Sequence, residues 1–217
     1  MKLIAENLTV DRGDRRVFAG LSFSLERATA LLVTGPNGVG KSSLLRTLAG
    51  LVPPAEGHVR LEGGTEELTA FEHCHYFGHQ DAVKPALSVI ENLTFWQAFS
   101  QSVTPDGFTT GRMAPADALD GLGIGHTARL PAAYLSAGQK RRLSLARLLV
   151  TPRPIWLMDE PTSALDADSE KRLIALMNGH LLSGGLIVTA THTPLTLNKA
   201  QKLHLEPARD HPAEVPA

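Results

Sequence analysis

The chain holds a single cysteine, Cys74, among its 217 residues, so no internal disulfide can form. That scarcity suits a reducing compartment. It also lacks an excess of either charge: 21 Lys and Arg stand against 22 Asp and Glu, for a formal net charge of -1. No global basic footprint points to nucleic acid, and no nucleic-acid partner is expected. Long apolar runs are missing too. None reaches the roughly 18–20 residues that a membrane helix needs, so work at a membrane would require another chain to supply the span. Met1 to Glu6 carries charge at once and has no long apolar core, and is not read as a signal peptide.

What is present centres on Gly35-Pro36-Asn37-Gly38-Val39-Gly40-Lys41-Ser42-Ser43. It fits the phosphate-binding pattern G-x-x-x-x-G-K-[ST]. Ala30 to Thr34, just before it, reads as a buried strand. Leu44, Leu45 and Leu48, just after it, fall at helical spacing, and Gly50 marks a stop. Strand, glycine loop and helix form the arrangement that a phosphate cradle needs. Glycine permits φ > 0 and a close approach of backbone to ligand. The N–H groups from Gly38 to Ser43 are then expected to point at phosphate oxygens at a helix N-terminus. Lys41 should neutralise β/γ-phosphate charge, and the Ser42 hydroxyl should hold Mg²⁺. A glycine-rich turn that binds nothing would need neither this length nor this context.

Leu3, Leu8 and Val10 with Phe18, Leu21, Phe23 and Leu25 predict two or three short strands broken at Asp11 to Asp14, a hairpin beside the nucleotide entrance. His58 to Glu62 predicts another strand, ended by Gly63-Gly64. Residues 82–149 read as mostly helical. Val89, Leu93, Trp96 and Phe99 fall on one apolar face, Ser102 to Pro115 is a loop, and Ala116 to Leu122 is a short helix. Leu135-Ser136-Ala137-Gly138-Gln139 reads as a turn into a helix, with Ser136 as its cap and as a second anion site. The basic run Lys140-Arg141-Arg142 behind it reads as a solvated helix face. Ile155 to Met158 is a buried strand ending in Asp159-Glu160. A helix follows from about Asp168 to Leu182, then a strand from Leu186 to Ala190, closed by Thr191-His192. Polar groups at the carboxyl ends of α/β strands lie where such sheets bind ligands. Asp159 is expected to bind Mg²⁺, Glu160 to polarise a water, and His192 to stand on a neighbouring strand. His73, Cys74, His75 and His79 match no zinc spacing; His73 and His75 read as alternating with Cys74 on a strand, in structural roles. Lys202 to Glu206 reads as a last strand and Pro207 to Ala217 as a loose tail.

In this order the pieces resemble the nucleotide-binding domain of ABC transporters, over roughly residues 1 to 206. The matching motifs are the P-loop at Gly35 to Ser42, the Q-loop glutamine Gln80 and the signature Leu135 to Gln139. After them come the Walker B strand ending at Asp159, the catalytic glutamate Glu160, the D-loop Ser163 to Asp166 and the switch histidine His192. Within the family the chain is most similar to the ATPases of haem export in c-type cytochrome biogenesis. Tyr76-Phe77-Gly78-His79-Gln80, Glu91-Asn92-Leu93, the signature with Arg141-Arg142 and the short length carry that likeness. The resemblance implies an α/β fold: a P-loop NTPase core of RecA-like type with an N-terminal antiparallel β subdomain and a helical insert. Residues 1–217 would form one ATP-binding domain, with 1–81 and 150–206 as the core, 82–149 as the helical subdomain and 207–217 as a tail. The chain departs from the family twice. Ala137 replaces a glycine, so the turn there must accept ordinary backbone angles. Arg12 stands where an aromatic usually stacks on adenine.

The resemblance further implies an ATPase coupled to transport, with ATP and Mg²⁺ as its ligands. ATP would lie on Gly35 to Ser43 with Arg12 near the base, and Mg²⁺ on Ser42, Gln80 and Asp159. Lys41, Gln80, Glu160 and His192 would form the catalytic set. Ser136 and Gly138 would contact ATP held by a second copy, making a head-to-tail, ATP-dependent homodimer. An integral membrane subunit of CcmB type, with a CcmC-type subunit, would hold the protein at the cytoplasmic face of a bacterial inner membrane. An ABC exporter with another cargo would carry the same motifs. A soluble ABC ATPase of DNA maintenance or translation carries coiled-coil insertions or two cassettes, for which this chain has no room. A GTPase would show Asn-Lys-x-Asp, and Asn198-Lys199-Ala200-Gln201 lacks the Asp. A non-catalytic nucleotide sensor would not need Lys41, Asp159 and Glu160 intact.

Overall fold

The computed structural model describes residues 1–206, so the tail expected over 207–217 lies outside the described residues. The elements, in chain order, are β1 (Lys2–Arg12), β2 (Arg15–Glu26), β3 (Ala30–Thr34), α1 (Lys41–Leu48), β4 (Glu56–Glu62), β5 (Cys74–Phe77) and α2 (Val89–Phe99). They continue with α3 (Pro115–Gly121), α4 (Ala137–Val150), β6 (Ile155–Asp159), α5 (Ala167–Leu182), β7 (Leu186–Ala190) and β8 (Ala200–His204). Three strands form an antiparallel sheet in the order β2-β1-β4, and five form a parallel sheet in the order β5-β6-β7-β3-β8.

The short apolar runs become the parallel sheet because it is covered on both faces. Every residue of β6 and β7 is buried, as strands enclosed on two sides require. Alternation then divides their side chains between two cores. Leu31, Val33, Ile155, Leu157, Leu186 and Val188 pack toward α1 and the antiparallel sheet, with Leu44, Leu45, Leu48, Leu3 and Phe18. Ala30, Trp156, Met158 and Ile187 pack toward the helices, with Leu93, Leu119, Leu145, Leu148, Leu173 and Met177. Helices α2, α3 and α4 all fall between β5 and β6, as the helical reading of 82–149 expects, and 102–114 carries no helix or strand.

Three details differ from expectation. The N-terminal strands are not short: β1 runs for 11 residues and β2 for 12. Register shifts after Ala5, Leu8 and Val10 let β1 continue while its apolar spacing slips, which is the work of bulges. Phe99 closes α2 in an exposed position, stacked on Phe95 at 5.6 Å between ring centroids. His73 is not on a strand. It ends a 3-10 turn, Ala70–His73, that a Thr69/Glu72 capping box begins, and β5 starts only at Cys74.

The histidine and cysteine rings and thiol of this region are tied to backbone. Thr65 N–H donates to His73 Nε2 at 2.8 Å, and His73 Nδ1 lies 2.8 Å from Thr69 O. His75 Nε2 bonds Thr151 O. Cys74 donates to Ala70 O at 3.3 Å, and burial pushes its thiol up to about 12. Burial also depresses two imidazoles, His75 to about 3 and His180 to about 4. His180 stacks on Trp156 at 3.9 Å and lies 3.1 Å from Pro154 O through Nε2. Both are therefore neutral in the fold at pH values where the unfolded chain protonates them. Their stabilising contribution is complete above the unfolded value near 6.5 and is lost as pH falls toward the folded values. Stability should drop by on the order of 1 kcal/mol per pH unit for each histidine below about pH 6.5. Thermal melts from pH 7 to 4.5 should show this slope, and His180→Phe should flatten it. A melting temperature independent of pH across that range would contradict the buried-neutral assignment.

Candidate nucleotide site

The carboxyl ends of β3, β5, β6 and β7 open into one cavity of about 540 Å³. Its walls include Arg12, Arg15 and Val17 from the β1–β2 hairpin, Pro36 to Ser43, His79, Asp159, Glu160 and His192. The expected hairpin beside the entrance is thus in place.

The loop after β3 takes its shape from its glycines. Gly40 has φ 110 and forms the N-cap of α1, with no side chain capping the helix. A Cβ at Gly40 would collide with Val17, and one at Gly35 would lie 2.5 Å from Leu205 O. The first N–H groups of a helix have no intrahelical partner, so the start of α1 offers donors at the positive end of its dipole. Lys41 is buried in the cavity wall and donates from Nζ to Gly35 O at 2.8 Å and Pro36 O at 3.0 Å. The cation is held at the loop, one rotation from an anion seated there.

Asp159 ends β6 and Glu160 follows it. β6 and β7 are paired with Asp159 opposite Ala190, which brings His192 beside the two acids. His192 N–H donates to Glu160 Oε2 at 3.4 Å, and its Nε2 lies 3.5 Å from Oε1. Asp159 Oδ2 is buried and has no hydrogen-bond partner among the described residues; His79 Nε2 stands 3.4 Å away. A buried carboxylate oxygen without a donor is costly, and a divalent cation is a ligand that would satisfy it. Ser42 lies on the same cavity wall. One hydroxyl and one carboxylate beside seated phosphates fit Mg²⁺, which binds few protein ligands and demands oxygen.

Not every expected residue reaches the cavity. Gln80 is exposed and does not line it, whereas His79, the residue before it, does. Ser136 and Gly138 are also outside. Ser136 caps α4, accepting from Gln139 N–H at 3.2 Å, and is exposed. Ala137 begins α4 and is not among the residues with positive φ, so the alanine costs the turn nothing. The signature sequence is therefore formed and capped, with Ser136 and Ala137 exposed and Leu135 buried, and it does not line the cavity of its own chain.

Arg141, within the basic run, is not solvated. Arg141 is only 4% exposed, and its guanidinium is bound to backbone at the ends of β5 and β6. The signal was in the spacing: Arg141 shares a helix face with Leu145 and Leu148, at i+4 and i+7. Arg15 and Val17 were missed because a hairpin's approach to a loop distant in sequence leaves no local pattern. His79 carried a signal, since it lies just past the carboxyl end of a strand of the parallel sheet.

The ABC transporter family model matches residues 18–163. A cytochrome c biogenesis ATP-binding export protein CcmA of Nitrobacter winogradskyi is 54% identical over 195 residues, covering 90% of this chain and 94% of that one. The protein of the same name from Chelativorans is 50% identical, over 94% of this chain and 98% of its own. Among solved structures, an ABC transporter ATP-binding protein from Pyrococcus furiosus superposes with a TM-score of 0.76 at 21% identity, over 94% and 98% of the two chains. The ATP-binding cassette MJ0796, a dimer solved after hydrolysis with ADP and phosphate bound, gives 0.71 at 22% identity over 88% of each chain. At those identities the solved structures show a shared fold.

Proposed function

The chain belongs to the ABC transporter family of ATP-binding proteins, and on that premise we propose that it is the ATP-hydrolysing subunit of a transporter serving c-type cytochrome biogenesis. One observation carries the reading of the site. The phosphate loop, Asp159, Glu160 and His192 share one cavity, while Ser136, which caps α4, and Gly138 lie outside it. On this reading each chain holds half a site, and a second copy placed head to tail completes it.

In the proposed reaction the phosphates of ATP lie on the N–H groups at the start of α1. Lys41 leaves the Gly35 and Pro36 carbonyls for the β/γ-phosphates. Ser42 and Asp159 would hold Mg²⁺, which would supply positive charge beside the phosphates. Glu160 orients the attacking water and accepts its proton. His192, now against Glu160, turns to the γ-phosphate and senses its loss. Gln80 would have to move to reach the cavity, since it does not line it. Catalysis is mainly positioning and charge stabilisation.

No helix among the described residues is long and apolar enough to cross a membrane. The proposed attachment is therefore through an integral subunit of CcmB type, with a CcmC-type subunit, at the cytoplasmic face of a bacterial inner membrane, where haem export or handling is the work powered. Fractionation tests this. The protein expressed with its integral partner should sediment with membranes, and expressed in cells lacking every candidate partner it should not. Membrane association without a partner would contradict the proposal.

Arg12 allows a smaller prediction. It is exposed at the cavity rim, where its flat guanidinium can lie on a base. A flexible side chain loses entropy on ordering, so the help is modest. Arg12→Ala should weaken ATP binding about fivefold, for a loss of roughly 1 kcal/mol. Arg12→Tyr should restore binding and sharpen the preference for ATP over GTP, since base stacking on an aromatic contributes about 1–3 kcal/mol. Calorimetric titration of the three proteins decides it. Wild-type affinity in Arg12→Ala would make Arg12 a bystander.

A further inference from the structure

Arg141 joins parts of the molecule that the proposed reaction uses separately. It lies on α4, in the turn that follows Ser136. Its Nη1 donates to Gly78 O at 2.7 Å and to Asp81 Oδ1 at 3.3 Å. Its Nη2 donates to Asp159 O at 3.1 Å and to Glu160 O at 2.8 Å. The guanidinium carbon sits 3.9 Å from the centroid of the Phe77 ring. One planar group thus fixes the segment after β5 and the end of β6 to α4. Only a rigid fork of several donors reaches all four acceptors at once; a lysine ammonium has three donors on a flexible stem.

The residue most in need of fixing is Glu160. Its φ is 47, in the left-handed region that side-chain-bearing residues seldom occupy unless their surroundings over-determine it. Its peptide groups are pinned on both sides. The Glu160 N–H donates to Ala190 O at 2.9 Å, and its carbonyl accepts from Ser163 N–H at 3.2 Å as well as from Arg141. Without the guanidinium the carbonyls of Asp159 and Glu160 lose their charged donor, and the backbone can relax toward ordinary angles. The Glu160 carboxylate would then swing off its line into the cavity. Arg141 itself lines no part of that cavity.

We propose that Arg141 is the positioning residue for Glu160, holding the carboxylate on the attacking water and tying that aim to the helix whose start meets the nucleotide of the second copy. The inference rests on the ATPase reading above. It separates the chemical step from binding: the nucleotide is seated by the phosphate loop, which Arg141 does not touch, while the water is aimed through the clasped backbone. A buried cross-link with no such role would change stability and leave the turnover of folded protein alone.

The test compares full-length wild type, Arg141→Gln and Arg141→Lys, each with Glu160 intact and with Glu160→Gln, by ATP titration, steady-state hydrolysis and single-turnover hydrolysis. With Glu160 intact, ATP affinity should stay within about twofold while kcat falls at least tenfold in Arg141→Gln and severalfold in Arg141→Lys. In the Glu160→Gln background the residual single-turnover rate should change less than about twofold, because no carboxylate remains to be aimed. Residues acting as one unit are non-additive in this way. An unchanged kcat, or an equal loss in both backgrounds, overturns the proposal. If Arg141→Gln does not fold, Arg141→Lys decides by the same comparison. Wild-type turnover in the same assay separates the two readings: turnover that is indifferent to Arg141 overturns the positioning role alone, and absent wild-type turnover overturns both.

Discussion

Glu160→Gln is expected to bind Mg-ATP at least as tightly as the wild-type protein and to hydrolyse it about 10²–10⁴-fold more slowly, the range that a positioned general base contributes. The two halves of this expectation have different causes. Glutamine keeps the size of the side chain and can still accept from His192 N–H, so the 3.4 Å contact that places the residue survives. Affinity should not fall, because a carboxylate close to a polyanionic substrate repels it, and the amide removes that repulsion. Turnover falls because an amide oxygen takes no proton from the attacking water. Steady-state phosphate release and calorimetric affinity on the same preparations measure the two halves. A variant that keeps more than a tenth of wild-type turnover would remove Glu160 from the chemistry, and Asp159 or His192 would have to supply the base.

The phosphate loop was legible because its chemistry is local. Gly40 must take a conformation that side chains resist, Lys41 and Ser42 must follow it, and the flanking runs must be strand and helix, all within about twenty residues. The parallel strands were legible because burial on both faces leaves uninterrupted apolar runs, as in β3, β6 and β7. The adjacency of His192 and Glu160 followed once β6 and β7 were taken as neighbours. Arg141 was hidden because a guanidinium in a basic run looks solvated, and three of its four acceptors are backbone carbonyls, which no sequence displays. His73 was displaced because a capping box at Thr69 and Glu72 starts a turn where alternation alone predicts a strand. Gln80 and His79 differ by one residue and lie in a bend past the end of β5, where strand alternation no longer tells which side chain faces the site. The proposed half-site was legible only in part: Ser136 reads as a helix cap, but its place outside the cavity of the phosphate loop belongs to the tertiary fold.

The proposed half-site also sets the second large effect. If Ser136 and Gly138 complete a site on another copy, ATP must drive association, and hydrolysis must undo it. Glu160→Gln blocks the undoing, so the ATP-bound dimer should accumulate. Ser136 is exposed with its oxygen at the positive end of α4, and among the described residues its hydroxyl hydrogen-bonds only within its own capping box. Ser136→Arg would place bulk between the two copies at the γ-phosphate contact, and it leaves the phosphate loop of its own chain untouched. Monomeric binding of ATP should therefore persist in the double variant while association is lost. The fall in association should exceed 100-fold, since a helix-terminal contact to a charged phosphate and the steric fit around it are removed together.

Light scattering of Glu160→Gln at saturating Mg-ATP measures this most directly. The account predicts a mass that doubles on adding Mg-ATP, returns to that of the monomer with Mg-ADP, and stays that of the monomer at every nucleotide when Ser136→Arg is added. A Glu160→Gln protein that binds ATP by calorimetry yet remains monomeric at saturation would contradict the composite site.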